Sequence, residues 1–266
     1  PQPGTRDCLL SRGLGDVYKR QISGEILERF YNSWAKFFNS EEKVNFKFNP
    51  SRQDGFFPFR SENAKNNDIK DLKEFFHVYP NTNLPDFLSK NTNLLYSELV
   101  NLGNTLLSWL DDLTPYNIKN EFSETLFDMS KGSDRNLLRV LHYPPVEGEV
   151  EQGAIRAAAH EDINLITLLV SGSQPGLEAM DMKGVWHKVP VDKGMITVNV
   201  GDMLQMASNK YFPSTSHRVV NPENTKQNVS RFSLPMFMHP RNEVILRSGI
   251  SAYDYLQERL KEINLK

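Results

Sequence analysis

Between residues 137 and 238 the chain breaks into short β-prone runs separated by turn residues, and this restricts the fold more than any other feature. Leu138, Val140 and Leu141 open a run that stops at Pro144 and Pro145. A polar hairpin at residues 171–176, a Met182, Lys183, Gly184 turn and a Gly201, Asp202 closure punctuate the chain beyond it. Another turn falls around Asn221, Pro222 and Glu223. Short strands with turns at this spacing predict a sandwich or barrel. Helical patterns come first, so the predicted class is α+β. Ile26, Leu27, Phe30, Trp34, Phe37 and Phe38 recur at steps of three and four, one face of an amphipathic helix. Leu95, Leu99, Leu102, Leu106, Trp109, Leu110 and Leu113 form the clearest helical stripe, read as a core-packing face. Residues 125–129 predict a last short helix before the strands, and residues 253–265 a closing one.

The chemistry sits on three of the β-prone runs. His160, Glu161 and Asp162 open one, His217 lies on another, and Arg231, Phe232 and Ser233 open a third. In a strand, side chains i and i+2 share a face. His160 and Asp162 therefore point together and Glu161 points away. Two histidines and one carboxylate have the make-up of a facial triad for non-haem Fe(II), with open positions left for cosubstrate and O2. The same alternation puts Arg231 and Ser233 on one face, with Phe232 and Leu234 on the other. An arginine fork beside a hydroxyl is a receptor for a carboxylate. His-x-Asp alone is a weak signal; the ordered set with the distal histidine and Arg-x-Ser is much stronger.

These residues resemble the isopenicillin N synthase-like branch of the Fe(II)/2-oxoglutarate-dependent dioxygenases. Residues 160–169 (HEDINLITLL) resemble the family's first ligand strand, residues 216–222 (SHRVVNP) its distal-histidine strand, and residues 231–240 (RFSLPMFMHP) its cosubstrate strand. His142, Tyr143, Pro144 and Pro145 resemble its Tyr-Pro-Pro turn, and residues 71–77 (DLKEFFH) its helical region. The likeness runs over residues 22–260. It implies an α+β fold built on a double-stranded β-helix (jelly-roll) barrel, with an N-terminal helical region and a C-terminal helix. The corresponding segments would be residues 22–130, 131–247 and 248–266.

The resemblance also implies Fe(II) on His160, Asp162 and His217, and 2-oxoglutarate on Arg231, Ser233 and Tyr143. O2 and a small-molecule substrate would complete the reaction, releasing succinate and CO2. Hydroxylation is the expected outcome, with desaturation or ring closure open to the same chemistry. Many plant members carry Asn where this chain has Leu141, so that polar contact is missing or replaced. Isopenicillin N synthase itself uses no 2-oxoglutarate, and there the Arg-x-Ser pair serves the substrate. An Fe(II) oxidase independent of 2-oxoglutarate is therefore the nearest alternative. A jelly-roll protein that binds metal or ligand without turnover is the second.

Several neighbours have both a structural and a functional reading. Tyr143 could be a packed aromatic with a satisfied hydroxyl. Arg139 could form a salt bridge inside the barrel, the preferred reading, or meet a substrate carboxylate. Arg156 could orient Asp162 or contact substrate. Among the other histidines, His77 reads as packed or hydrogen-bonded core, His142 as facing away from the metal, His187 as solvated and His239 as closing a strand.

The N-terminal residues 1–21 (PQPGTRDCLLSRGLGDVYKRQ) do not fit this pattern. They have no usable periodicity and no apolar region of a signal peptide. They resemble translated adapter or cloning sequence joined to a truncated reading frame, with a poorly ordered native tail as the alternative. Composition narrows the function classes. A net charge of −2 gives no footprint for nucleic acid or an anionic membrane surface. No apolar run reaches the ~18 residues of a membrane span. Cys8 is the only cysteine, which rules out an intramolecular disulfide or a thiolate metal cluster. A reducing cytoplasm is the default compartment, and a monomer the expected state.

Overall fold

The computed structural model describes residues 24–63, 69–146, 148, 151–192, 194–223 and 228–262. The leader at residues 1–21 lies outside them. Helix α1 (Gly24–Phe38) buries Leu27, Phe30, Trp34, Phe37 and Phe38, the stripe its spacing predicts. A 3-10 turn at Glu41–Phe46 comes next. Strands β1 (Gly55–Phe57) and β2 (Glu74–Val78) precede the long helix α2 (Asp86–Leu113). Helix α2 starts after Pro85, which cannot continue a helix backwards, and ends before Thr114 and Pro115. Its Gly103 lets it press onto the strands, since a Cβ there would lie 2.5 Å from the Met238 sulfur. Two short helices complete this part, α3 (Tyr116–Lys119) and α4 (Leu126–Ser130), the second capped by the Thr125 hydroxyl on the Asp128 amide.

The remaining strands are β3 (Leu137–Tyr143), β4 (Ala157–His160), β5 (Ile166–Val170), β6 (Leu177–Met180), β7 (Trp186–Lys188), β8 (Ile196–Val200), β9 (His217–Val219), β10 (Arg231–Met238), β11 (Ile245–Arg247) and β12 (Ile250–Ser251). Helix α5 (Asp202–Ala207) interrupts them after β8, and α6 (Ala252–Glu262) closes the chain. A six-stranded antiparallel sheet has the order β1-β2-β3-β10-β5-β8, and a four-stranded one the order β4-β9-β6-β7. The fold is thus mixed helices and antiparallel sheets, as predicted, with helices leading. Among the described strands the hydrogen-bonded pairing leaves these two sheets, with a separate β11-β12 pair, rather than one closed barrel. No described helix is long and apolar enough to cross a membrane.

The large sheet is apolar on both faces. Phe76, Val140, Leu168, Leu234 and Met236 point to the helices, where they join the core of α1 and α2. Phe57, Phe75, Leu141 and Tyr143 point the other way and pack with Ala157, Val219 and Leu177 of the small sheet. The site lies in the space between the two sheets.

One expectation fails. Residues 71–77 do not form part of a helical region. Glu74–Val78 is a strand, paired with β1 on one side and β3 on the other. It is buried throughout, so Phe75 enters one core and Phe76 the other. A strand buried on both faces loses the period-2 alternation that would mark it.

Candidate active site

The antiparallel pairing of β4 with β9 sets His160 directly opposite His217. Their ring centroids are 4.4 Å apart. Asp162 comes two residues after His160 on the same face. One donor atom from each of His160, Asp162 and His217 lies within 4.8 Å of the others. The three predicted ligands are brought together, and a single ion would fit among them.

Their hydrogen bonds orient them for ligation. His160 Nδ1 donates to the Ala158 carbonyl at 2.7 Å, and His217 Nδ1 to the Thr215 carbonyl at 3.1 Å. Each imidazole thus keeps the lone pair of Nε2 for the centre. Asp162 Oδ2 accepts from the Thr167 hydroxyl at 2.6 Å and from Asn199 Nδ2 at 2.8 Å. Oδ1 is left facing His217 Nε2 at 3.7 Å. Burial, then the neighbouring His217, push His160 down to about 4, so its ring is neutral near pH 7. Burial alone would raise Asp162; His217 and His160, with the two hydrogen bonds, outweigh it and hold the carboxyl low. Two imidazoles with Nε2 turned to the centre and one carboxylate are a donor set suited to Fe(II).

Arg231 opens β10 on the inner face, opposite Tyr143. It is 1% exposed. Its Nε donates to the Gln174 carbonyl at 3.0 Å, in the loop between β5 and β6. That loop is shaped for it, because a Cβ at Gly172 would lie 3.1 Å from Arg231 Nη2 and 3.0 Å from the Phe232 carbonyl. The guanidinium lies over the Tyr143 ring at 5.1 Å. Its Nη1 is buried without a hydrogen-bond partner. Burial lowers its pKa, with Tyr143 and Tyr31 opposing. A buried charged donor left free is costly unless an anion meets it. Ser233 lies on the same face, two residues or about 7 Å further along the strand, toward Phe237.

Beside the triad opens a cavity of about 380 Å³. His160, Asp162, Phe237, His239, Arg139 and Lys73 are among its lining. Its wall carries a buried ionic cluster. Lys73 Nζ meets Glu62 at 2.7 Å and Asp71 at 2.8 Å, and Arg139 Nη1 meets Glu62 at 3.3 Å. Arg139 Nε donates to His77 Nε2 at 2.9 Å, so His77 carries its proton on Nδ1 and donates it to the Gln53 carbonyl. Arg139 is thus in a salt bridge, as preferred from sequence, and it also faces the cavity.

The other predicted residues divide. His77 is buried and hydrogen-bonded, and His142 lies on the helix-facing side with Glu74. His187 is exposed, against Asp181. His239 follows directly on β10 and also lines the cavity, and burial lowers its pKa to about 4. Arg156 bonds the Val229 carbonyl and has Arg231 and Tyr143 as its electrostatic neighbours. Asp162's partners are instead Thr167 and Asn199, so Arg156 does not orient it. Glu62, Lys73, Asp71, Thr167, Asn199 and Gly172 were not singled out from sequence. Charged and polar residues scattered among strands and loops carry no periodic signal until the fold pairs them.

Comparison with known proteins gives the same picture. A sequence model of the 2OG-Fe(II) oxygenase superfamily matches residues 135–240. A Shewanella oneidensis protein, solved as a candidate oxygenase, is 44% identical, covers 96% of this chain and 97% of its own, and superposes with a TM-score of 0.81. A Neurospora crassa protein, solved in complex with 2-oxoglutarate and thymine, is 26% identical over 89% of this chain and 83% of its own, with a TM-score of 0.72. An Aspergillus fumigatus 2-oxoglutarate-Fe(II) type oxidoreductase is 26% identical over 87% of this chain and 74% of its own length.

Proposed function

The chain belongs to the 2OG-Fe(II) oxygenase superfamily, and on that premise we propose that His160, Asp162 and His217 hold its iron while Arg231 and Ser233 receive the distal carboxylate of 2-oxoglutarate. The observation that carries this reading is the buried, unpartnered Arg231 Nη1 on the same inner face as a complete triad. Bound Fe(II) supplies the redox chemistry by which O2 and 2-oxoglutarate oxidise a substrate C–H bond, with succinate and CO2 released. The chain's own part is positional. Ala158 and Thr215 fix the imidazole tautomers, and Thr167 and Asn199 turn the Asp162 carboxylate. Gln174 and Gly172 seat the Arg231 fork, and the Tyr143 ring supports it from below.

The two packed sheets then correspond to the layers of a jelly roll. The substrate is a small molecule in the cavity beside His160 and Asp162. Its polar wall favours a compact, hydrogen-bonding molecule, and the thymine bound by the Neurospora protein is of that kind. The single cysteine of the sequence supports a reducing, cytoplasmic site of action.

The test is anaerobic titration of the Fe(II) protein with 2-oxoglutarate, following the visible charge-transfer band of the chelate. The band should form in the wild type and vanish, with the iron, in His217→Ala. No band at millimolar 2-oxoglutarate overturns the cosubstrate assignment. Stoichiometric iron in His217→Ala overturns the triad.

A further inference from the structure

A second buried arginine reaches the backbone just ahead of Arg231. Arg156 precedes β4, is 2% exposed and ranks among the largest fully buried side chains. Its Nη2 donates to the Val229 carbonyl at 2.8 Å, and its Nε is buried with no partner. The ionisable groups that act on it are Arg231 and Tyr143; those that act on Arg231 are Tyr143 and Tyr31. Neither set contains a carboxylate. The contrast with the cavity wall is sharp, since Lys73 and Arg139 there have Glu62 and Asp71.

Two buried guanidiniums, each with one N–H that lacks a partner and neither with a carboxylate acting on it, are an unfavourable arrangement for an empty protein. A fold that needed Arg156 only to tie the start of β4 to Val229 would gain nothing from setting its charge beside Arg231. An anion between the two would convert both orphan donors into charge-assisted hydrogen bonds. Tyr143 stands beside both arginines, so the anion would sit at the Tyr143 end of the inner face, where the distal end of the cosubstrate is placed.

We propose that Arg156 is a second positioning residue of the cosubstrate anchor, which with Arg231 forms a two-arginine cradle for the distal carboxylate of 2-oxoglutarate. The proposal rests on the reading of Arg231 given above. It has two consequences that a purely structural Arg156 lacks. Selectivity for a dicarboxylic over a monocarboxylic 2-oxo acid depends on Arg156. The metal-free protein does not depend on the Arg156 charge for its stability.

The experiment measures binding of 2-oxoglutarate and of 2-oxohexanoate, which lacks the distal carboxylate, to anaerobic Fe(II) protein. The proteins are wild type, Arg156→Met, Arg156→Lys and Arg231→Met. Arg156→Met should weaken 2-oxoglutarate at least tenfold and change 2-oxohexanoate less than twofold, with Arg156→Lys in between. The metal-free Arg156→Met protein should melt no lower than wild type. If Arg231→Met weakens 2-oxoglutarate but Arg156→Met leaves the ratio of the two acids unchanged, the second arginine is structural and the proposal fails alone. A lowered melting temperature with an unchanged ratio in Arg156→Lys leads to the same conclusion, even if Arg156→Met does not fold. If Arg231→Met itself has no effect, the anchor reading falls first.

Discussion

At the scale of single residues, the ligands matter less as a set than for what holds them. Asp162 is kept in place by a hydroxyl at 2.6 Å and an amide at 2.8 Å, both on the oxygen that does not face His217. Thr167→Val keeps the shape of that side chain and removes its hydrogen bond. Partners of this kind are typically worth 10–100-fold in metal affinity. Thr167→Val should therefore weaken Fe(II) binding by about tenfold while the protein stays folded; unchanged affinity in an anaerobic iron titration would show that Asn199 alone suffices. Gly172 makes a similar point for the anchor. A methyl group there would press on Arg231 Nη2 and on the Phe232 carbonyl, which is backbone and cannot swing away. Gly172→Ala should raise the Kd for 2-oxoglutarate several-fold and leave iron affinity alone. These two positions also mark the limit of the sequence. His160, Asp162 and His217, which the fold brings together, and Arg231 and Ser233, proposed as the anchor, could be singled out in the sequence, because strand alternation fixes which neighbours share a face. Thr167 and Gly172 are ordinary residues whose role exists only once β5 and its loop meet Asp162 and Arg231.

At the scale of elements, the informative case is β2. The sequence Glu74-Phe75-Phe76-His77-Val78 lies in a stretch read as helical, and it folds as an inner strand between β1 and β3. Phe75 and Phe76, with buried Leu72 just ahead of the strand, have helix-like spacing because both faces of the strand are buried. Amphipathic elements were legible for the opposite reason: α1 and α2 each meet water on one side, so their stripes survive in the sequence. The position of β2 has functional weight. Its outer face carries Phe76 into the aromatic core against Trp34, at 5.3 Å between centroids, and its inner face carries Phe75 beneath Arg139, at 4.7 Å. Phe76→Ala should destabilise the protein by roughly 3–5 kcal/mol, as expected for a buried aromatic truncated in a packed core. A loss under 1 kcal/mol in urea unfolding would mean that β2 is not held between β1 and β3. Phe75→Leu, on the other face, should instead alter substrate binding with a smaller loss of stability, because it loosens the ring under Arg139.

At the scale of the whole molecule, one cluster joins stability to the cavity. Glu62, Asp71, Lys73, His77 and Arg139 come from three separate stretches of chain and are all buried or nearly so. Burial would raise Glu62, but Arg139 and Lys73 outweigh it and hold the carboxyl below its ordinary value. Burial and Arg139 hold His77 below its ordinary value as a neutral ring. The direction in pH is the same for both. A group whose folded pKa is depressed contributes stability above its unfolded pKa and loses it as pH falls toward the folded one. His77 therefore begins to count against the fold below about pH 6.5, and Glu62 below about pH 4.3. Wild-type stability should be flat near neutrality and fall in these two stages on acidification. Glu62→Gln removes the shared partner of Lys73 and Arg139. Breaking a buried pair on one side costs roughly 3–5 kcal/mol, so this variant should be that much less stable at pH 7. The gap should shrink as the pH drops below about 4, because the unfolded wild type then takes up a proton that the folded Glu62 carboxyl, held low by Arg139 and Lys73, does not. The check is urea unfolding of both proteins across the acid range, with substrate-cavity ligands absent. If the gap is constant with pH, the Glu62 carboxyl has the same pKa folded and unfolded, and the ionic cluster does not hold the cavity wall as the contacts indicate.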